Sequence, residues 1–97
     1  MLTLEDIKKA VAQVAPGYPV ERVFLFGSYA EGYADESSDV DIIVSTTKTL
    51  NLFELSRLES ELADILNKEV DVMTQDSFER SDLIVEKVEM LYERQAG

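Results

Sequence analysis

Three aspartates stand where aspartate is costly. Asp39 and Asp41 flank Val40 in the run Ser38-Asp39-Val40-Asp41-Ile42-Ile43-Val44, and Asp71 sits between Val70 and Val72. The valines and isoleucines favour an extended strand, whereas aspartate is depleted there, and acids two apart on a strand share one face and repel. A cation between them would turn that repulsion into binding. Hard ions such as Mg²⁺ are held by one or two carboxylates plus phosphate oxygens, and a pair of ions can serve both the attacking and the leaving oxygen of an in-line displacement. The plainer alternative for Asp-x-Asp is the solvated end of an edge strand. Asp71 repeats the pattern on a later strand, so that three acids could converge.

Upstream, Gly27-Ser28-Tyr29-Ala30-Glu31-Gly32 follows the apolar run Arg22-Val23-Phe24-Leu25-Phe26. Glycine permits a sharp turn and close approach to a ligand, and amides opening a helical turn, with the Ser28 hydroxyl, can donate to a phosphate. An ordinary strand-to-helix turn with Ser28 as N-cap explains the same residues. Tyr29 fits a base-stacking role or a half-buried turn position equally. Arg22 and Lys48 are assigned no role.

The elements that must position these groups follow from periodicity. Leu4, Ile7, Val11 and Val14 recur at helical spacing after Thr3, which with Asp6 forms a capping box; Ala15-Pro16-Gly17 ends this helix. Arg22–Phe26 reads as a strand, Ser28–Ser38 as a small polar segment, and Asp39–Ser45 as a second strand with Val40, Ile42 and Val44 on one face and Asp39, Asp41 and Ile43 on the other. Between Leu52 and Asn67, an apolar stripe of Leu52, Leu55, Leu58, Leu62, Ile65 and Leu66 predicts an amphipathic helix with Glu54, Arg57, Glu59, Glu61 and Asp64 outside it and Asn67 as a left-handed C-cap. Glu69–Met73 is a third strand and Thr74–Ser77 a polar turn. A last helix is expected to begin between Phe78 and Asp82 and to carry Leu83, Ile84, Val88 and Leu91, before a polar tail at 95–97. Val85 and Met90 on it could serve a homo-oligomer or partner surface. The order αβ(α)βαβα specifies an α/β (α+β) fold, a small sheet with helices packed on it, as a single domain over residues 1–97.

Composition narrows the function. The chain has 97 residues, no cysteine and no histidine, so thiolate ligands, disulfides and the commonest general base are absent, and carboxylates must do any metal or proton work. A formal charge of −11 opposes a broad interface with a phosphate backbone. No apolar run reaches the roughly 20 residues of a membrane span, and residues 1–10 carry Glu5, Asp6, Lys8 and Lys9, so a soluble, unprocessed, cytoplasmic chain is expected.

Gly27-Ser28, a spacer, Asp39-x-Asp41 and the later strand acid Asp71 together resemble the DNA polymerase β-like nucleotidyltransferase superfamily, and more closely the minimal nucleotidyltransferases, whose pattern covers the chain nearly end to end. That resemblance implies that Asp39 and Asp41 coordinate one or two Mg²⁺ ions. Asp71 would complete the site and orient or deprotonate the attacking hydroxyl, while Gly27 and Ser28 cradle the β- and γ-phosphates of ATP. The implied reaction is attack of a hydroxyl on the α-phosphate, with loss of pyrophosphate. Glu31 departs from the family, many of whose members have Arg in this Ala-x-Gly run. Minimal nucleotidyltransferases are commonly paired with a small helical HEPN-type toxin, and as antitoxins can transfer AMP to a tyrosine of it. The chain is therefore expected to modify and neutralise such a partner. The alternatives are a binding module acting by contact alone, and transfer to RNA or a small antibiotic-like acceptor.

Overall fold

The computed structural model describes residues 2–95. Helix α1 spans Leu4–Val14; Thr3 caps it, its hydroxyl accepting from the Asp6 amide while the Asp6 carboxylate accepts from the Thr3 amide, as the sequence predicts. A 3-10 turn at Ala15–Gly17 leads into strand β1, Val20–Phe26, which starts two residues earlier than expected. Helix α2 is a single turn, Ser28–Glu31, stopped by Gly32 in the left-handed region (φ 85°). Strand β2 covers Val40–Thr46, helix α3 Leu52–Leu66 and strand β3 Val70–Thr74. Asn51 caps the start of α3 in a capping box with Glu54, and Asn67 at φ 53° closes its end in the predicted left-handed conformation. Helix α4, Gln75–Glu79, and strand β4, Glu89–Glu93, complete the order.

The sheet runs β3-β2-β1-β4, with β1 antiparallel to both its neighbours and β2 parallel to β3. One face is dry. Ile7 and Val11 of α1 and Leu58 and Leu62 of α3 close over Val23, Leu25, Val40, Ile42 and Val44, all buried. The alternation expected for β2 holds, so that Asp41 and Ile43 face away from these helices. There α4 covers part of the sheet, its Phe78 ring tilted 54° against Phe26 at 5.9 Å.

The C-terminal third corrects the expected last helix. Thr74 to Ser77 is the cap and first turn of α4, since the Thr74 hydroxyl accepts from the Ser77 amide. Residues 82–88 form no helix, and Leu83 and Ile84, expected to be core, are exposed, Ile84 at 92%. Leu91 is buried, but as part of β4. The cause is non-local: without β4, β1 would be an edge strand with a row of open backbone groups, and pairing them outweighs a weak helical periodicity. In α3 the stripe is also narrower than expected, Leu52 being 80% exposed. Of the expected polar tail, residues 96 and 97 lie outside the described residues.

Candidate functional site

The ends of three strands and one turn meet on the sheet face away from α1 and α3. Asp41 pairs in register with Phe26 of β1 on one side and with Asp71 of β3 on the other, which sets the Asp41 and Asp71 carboxylates side by side. Asp39 stands one residue ahead of β2, on the same side as Asp41 by the strand period. Its loop is tied down locally. The Asp35 carboxylate accepts from the Ser37 amide (2.9 Å) and hydroxyl (2.7 Å), and Lys68 Nζ donates to the Glu36 carbonyl (2.7 Å).

Crowding of like charges shows in the protonation of Asp41. Burial first, then Asp71, then Asp39 push its carboxyl up to about 6, and every charged neighbour responsible is an acid. Among the described residues no basic side chain relieves it, and no three acids close around one point as they stand. An oxygen-only donor set with excess negative charge fits a hard cation of the Mg²⁺ kind.

Gly27 ends β1 at φ 75° and ψ −156°, a region essentially reserved for glycine. A Cβ there would come within 2.5 Å of Asp41 Oδ2. Glycine thus permits both the turn and the close approach of backbone to carboxylate. The Gly27 carbonyl accepts from the amides of Ala30 (3.1 Å) and Glu31 (3.0 Å), forming the single turn that starts at Ser28. Ser28 is half-buried beside the acids' end of the sheet, Tyr29 packs partly against the core, and Glu31 is solvent-exposed. Arg22 lies at the start of β1, the end remote from Asp41, bound to Glu93 at 2.9 Å.

One residue with a structural part at this site was not singled out by its sequence. Glu59, expected on the solvated face of α3, is half-buried, and its carboxylate accepts from the Val72 amide at 2.9 Å, next to Asp71. Only its place outside the apolar stripe was visible in the sequence; the partner comes from another element.

A strand acid pair, a third strand acid and a glycine turn thus lie together at one end of a mixed sheet. The nucleotidyltransferase domain family matches residues 4–94, and the chain belongs to that family. Within it, a Methanocaldococcus jannaschii protein provisionally named a protein adenylyltransferase is 38% identical over 76 residues, covering 78% of this chain and 82% of its own. The protein adenylyltransferase MntA of Thermococcus cleftensis is 35% identical over 81 residues, 79% of this chain and 82% of that one. A solved toxin–antitoxin complex with AMP-PNP contains a chain that superposes with TM-score 0.73 at 28% identity, covering 97% of this chain and 76% of that chain.

Proposed function

We propose that this chain, acting as one nucleotidyltransferase domain, transfers AMP from ATP to a hydroxyl of a protein partner, a HEPN-type toxin that it thereby neutralises in the cytoplasm. The observation that carries the reading is the in-register pair Asp41 and Asp71 behind the Gly27 turn, a concentration of negative charge that no basic side chain among the described residues offsets. Relatives named protein adenylyltransferase and a similar toxin–antitoxin chain crystallised with AMP-PNP support it.

Asp39, Asp41 and Asp71 would hold Mg²⁺, which when bound supplies charge neutralisation at the triphosphate oxygens. Gly27 and Ser28 present backbone and hydroxyl donors to the β- and γ-phosphates. The acceptor oxygen forms its bond to the α-phosphorus as the bond to the β-phosphate bridging oxygen breaks, and pyrophosphate leaves. Asp71, at the sheet edge, orients the acceptor hydroxyl and takes its proton. Most of the rate then comes from holding these groups in line. Among the described residues no helix is long and apolar enough to cross a membrane.

The test is incubation with Mg²⁺, α-labelled ATP and any HEPN-type protein that co-purifies with the chain or is encoded beside it. Label should appear on that protein and vanish when the three aspartates are changed to asparagine. Neutralisation that persists in the unlabelled triple variant would establish contact alone as the mechanism and overturn transfer.

A further inference from the structure

We propose that Glu59 is a positioning residue for Asp71, a role that rests on the reading of Asp71 as part of the metal site. Strand β3 lies at the edge of the sheet, so half of its backbone groups have no strand partner. The Val40 amide donates to the Glu69 carbonyl at 3.0 Å. By the alternation of a strand, Glu69, Asp71 and Met73 turn their backbone groups toward β2, while Val70 and Val72 turn theirs outward. The Val72 amide is therefore one of the donors that the ladder leaves open, and Glu59 Oε2 takes it at 2.9 Å.

The consequence concerns one peptide unit. Its carbonyl belongs to Asp71 and faces β2, and its N–H belongs to Val72 and is held by Glu59. Rotation of this unit is the motion that would swing the Asp71 side chain away from Asp41, and it is blocked from both sides. The anchor is itself fixed: Leu58, adjacent to Glu59, and Leu62 are buried, and α3 is capped at Asn51 and Asn67. Supporting groups of this kind orient metal-binding carboxylates, and their loss typically weakens metal binding by about 10- to 100-fold.

Two conservative variants separate positioning from charge. Glu59→Gln removes the charge but keeps an acceptor of the same reach, whereas Glu59→Asp keeps the charge but is one methylene too short. The experiment measures Mg²⁺ affinity by calorimetry and amide exchange at Val72 by NMR, with the Phe24 and Ile43 amides, paired between β1 and β2 and away from β3, as internal references. Glu59→Asp is expected to raise Val72 exchange at least tenfold and to weaken Mg²⁺ binding by about tenfold, with the reference amides unmoved. Glu59→Gln should stay within about threefold of wild type in both. The reverse order, with Gln the weaker binder, would make Glu59 a source of charge only. Unchanged Mg²⁺ affinity in Glu59→Asp despite lost Val72 protection would make the bond purely structural. Both results overturn the proposal. Absence of Mg²⁺ binding by the wild-type chain would instead sink the metal-site reading itself, and the positioning role with it.

Discussion

At the scale of single residues, the acid pair makes stability depend on pH with a sign opposite to that of a salt-bridged carboxylate. Asp41 titrates near 6 in the folded chain against an ordinary 3.8, so between these values the folded state holds a proton that the unfolded state has released. Stability in the absence of metal therefore falls as pH rises through that window and stays reduced above it. Full linkage would amount to about 3 kcal/mol, which screening at a half-exposed group reduces to about 1 kcal/mol. Asp41→Asn should thus be more stable than wild type by about 1 kcal/mol at pH 7.5 and should lose that advantage near pH 4. Metal-free urea unfolding across the range checks this, and a difference that does not move with pH would contradict it. Gly27→Ala acts on the same pair from the other side. A Cβ at φ 75° meets Asp41 Oδ2, so a loss of about 1 to 3 kcal/mol is expected in urea unfolding, together with loss of AMP transfer. That Asp41 and Asp71 would come together was legible in the sequence because each stands among β-branched strand residues, where aspartate is depleted. Glu59 was not, because one more glutamate on a helix looks solvated until the strand that offers it an amide is in place.

At the scale of elements, what the sequence disclosed was what local chemistry decides. Thr3 with Asp6 and Asn67 after α3 are caps, satisfied by neighbours three or four residues away, and both form as read. Strand β4 is decided elsewhere, by the open edge of β1, some 70 residues earlier in the chain, and its segment carries a helix-like spacing that nothing local contradicts. Tertiary pairing wins there. The lock on this strand is Arg94, whose amide donates to the Glu21 carbonyl at 2.8 Å, and whose guanidinium donates to the carbonyls of Val20 (3.0 Å) and Tyr18 (2.6 Å). Arg94→Ala should cost about 1 to 2 kcal/mol in urea unfolding. It should also speed exchange of the β4 amides more than those of β2. Equal acceleration in both strands would mean that Arg94 supports the whole molecule rather than this edge.

At the scale of the whole molecule, a formal charge of −11 and an unneutralised acid site make one argument. Long-range repulsion raises the free energy of the compact state, and the three aspartates concentrate part of it at the end of one sheet face. A divalent ion that binds there relieves repulsion only in the folded chain, because unfolding disperses Asp71 from Asp39 and Asp41. Mg²⁺ should therefore stabilise by the usual linkage, about 1.4 kcal/mol at ten times its dissociation constant. For a chain of this length that corresponds to a rise in Tm of roughly 6 to 11 °C. General screening by salt would also help a protein this acidic, but it does not need the site and is reproduced by NaCl at equal ionic strength. The comparison that isolates the site is a melting series in MgCl₂ against NaCl, for wild type and for the variant with all three aspartates changed to asparagine. A saturable Mg²⁺ increment confined to wild type is the expected result. If the variant gains as much as wild type, the ion acts on the overall charge alone, and the three aspartates would be a repulsive cluster without a ligand.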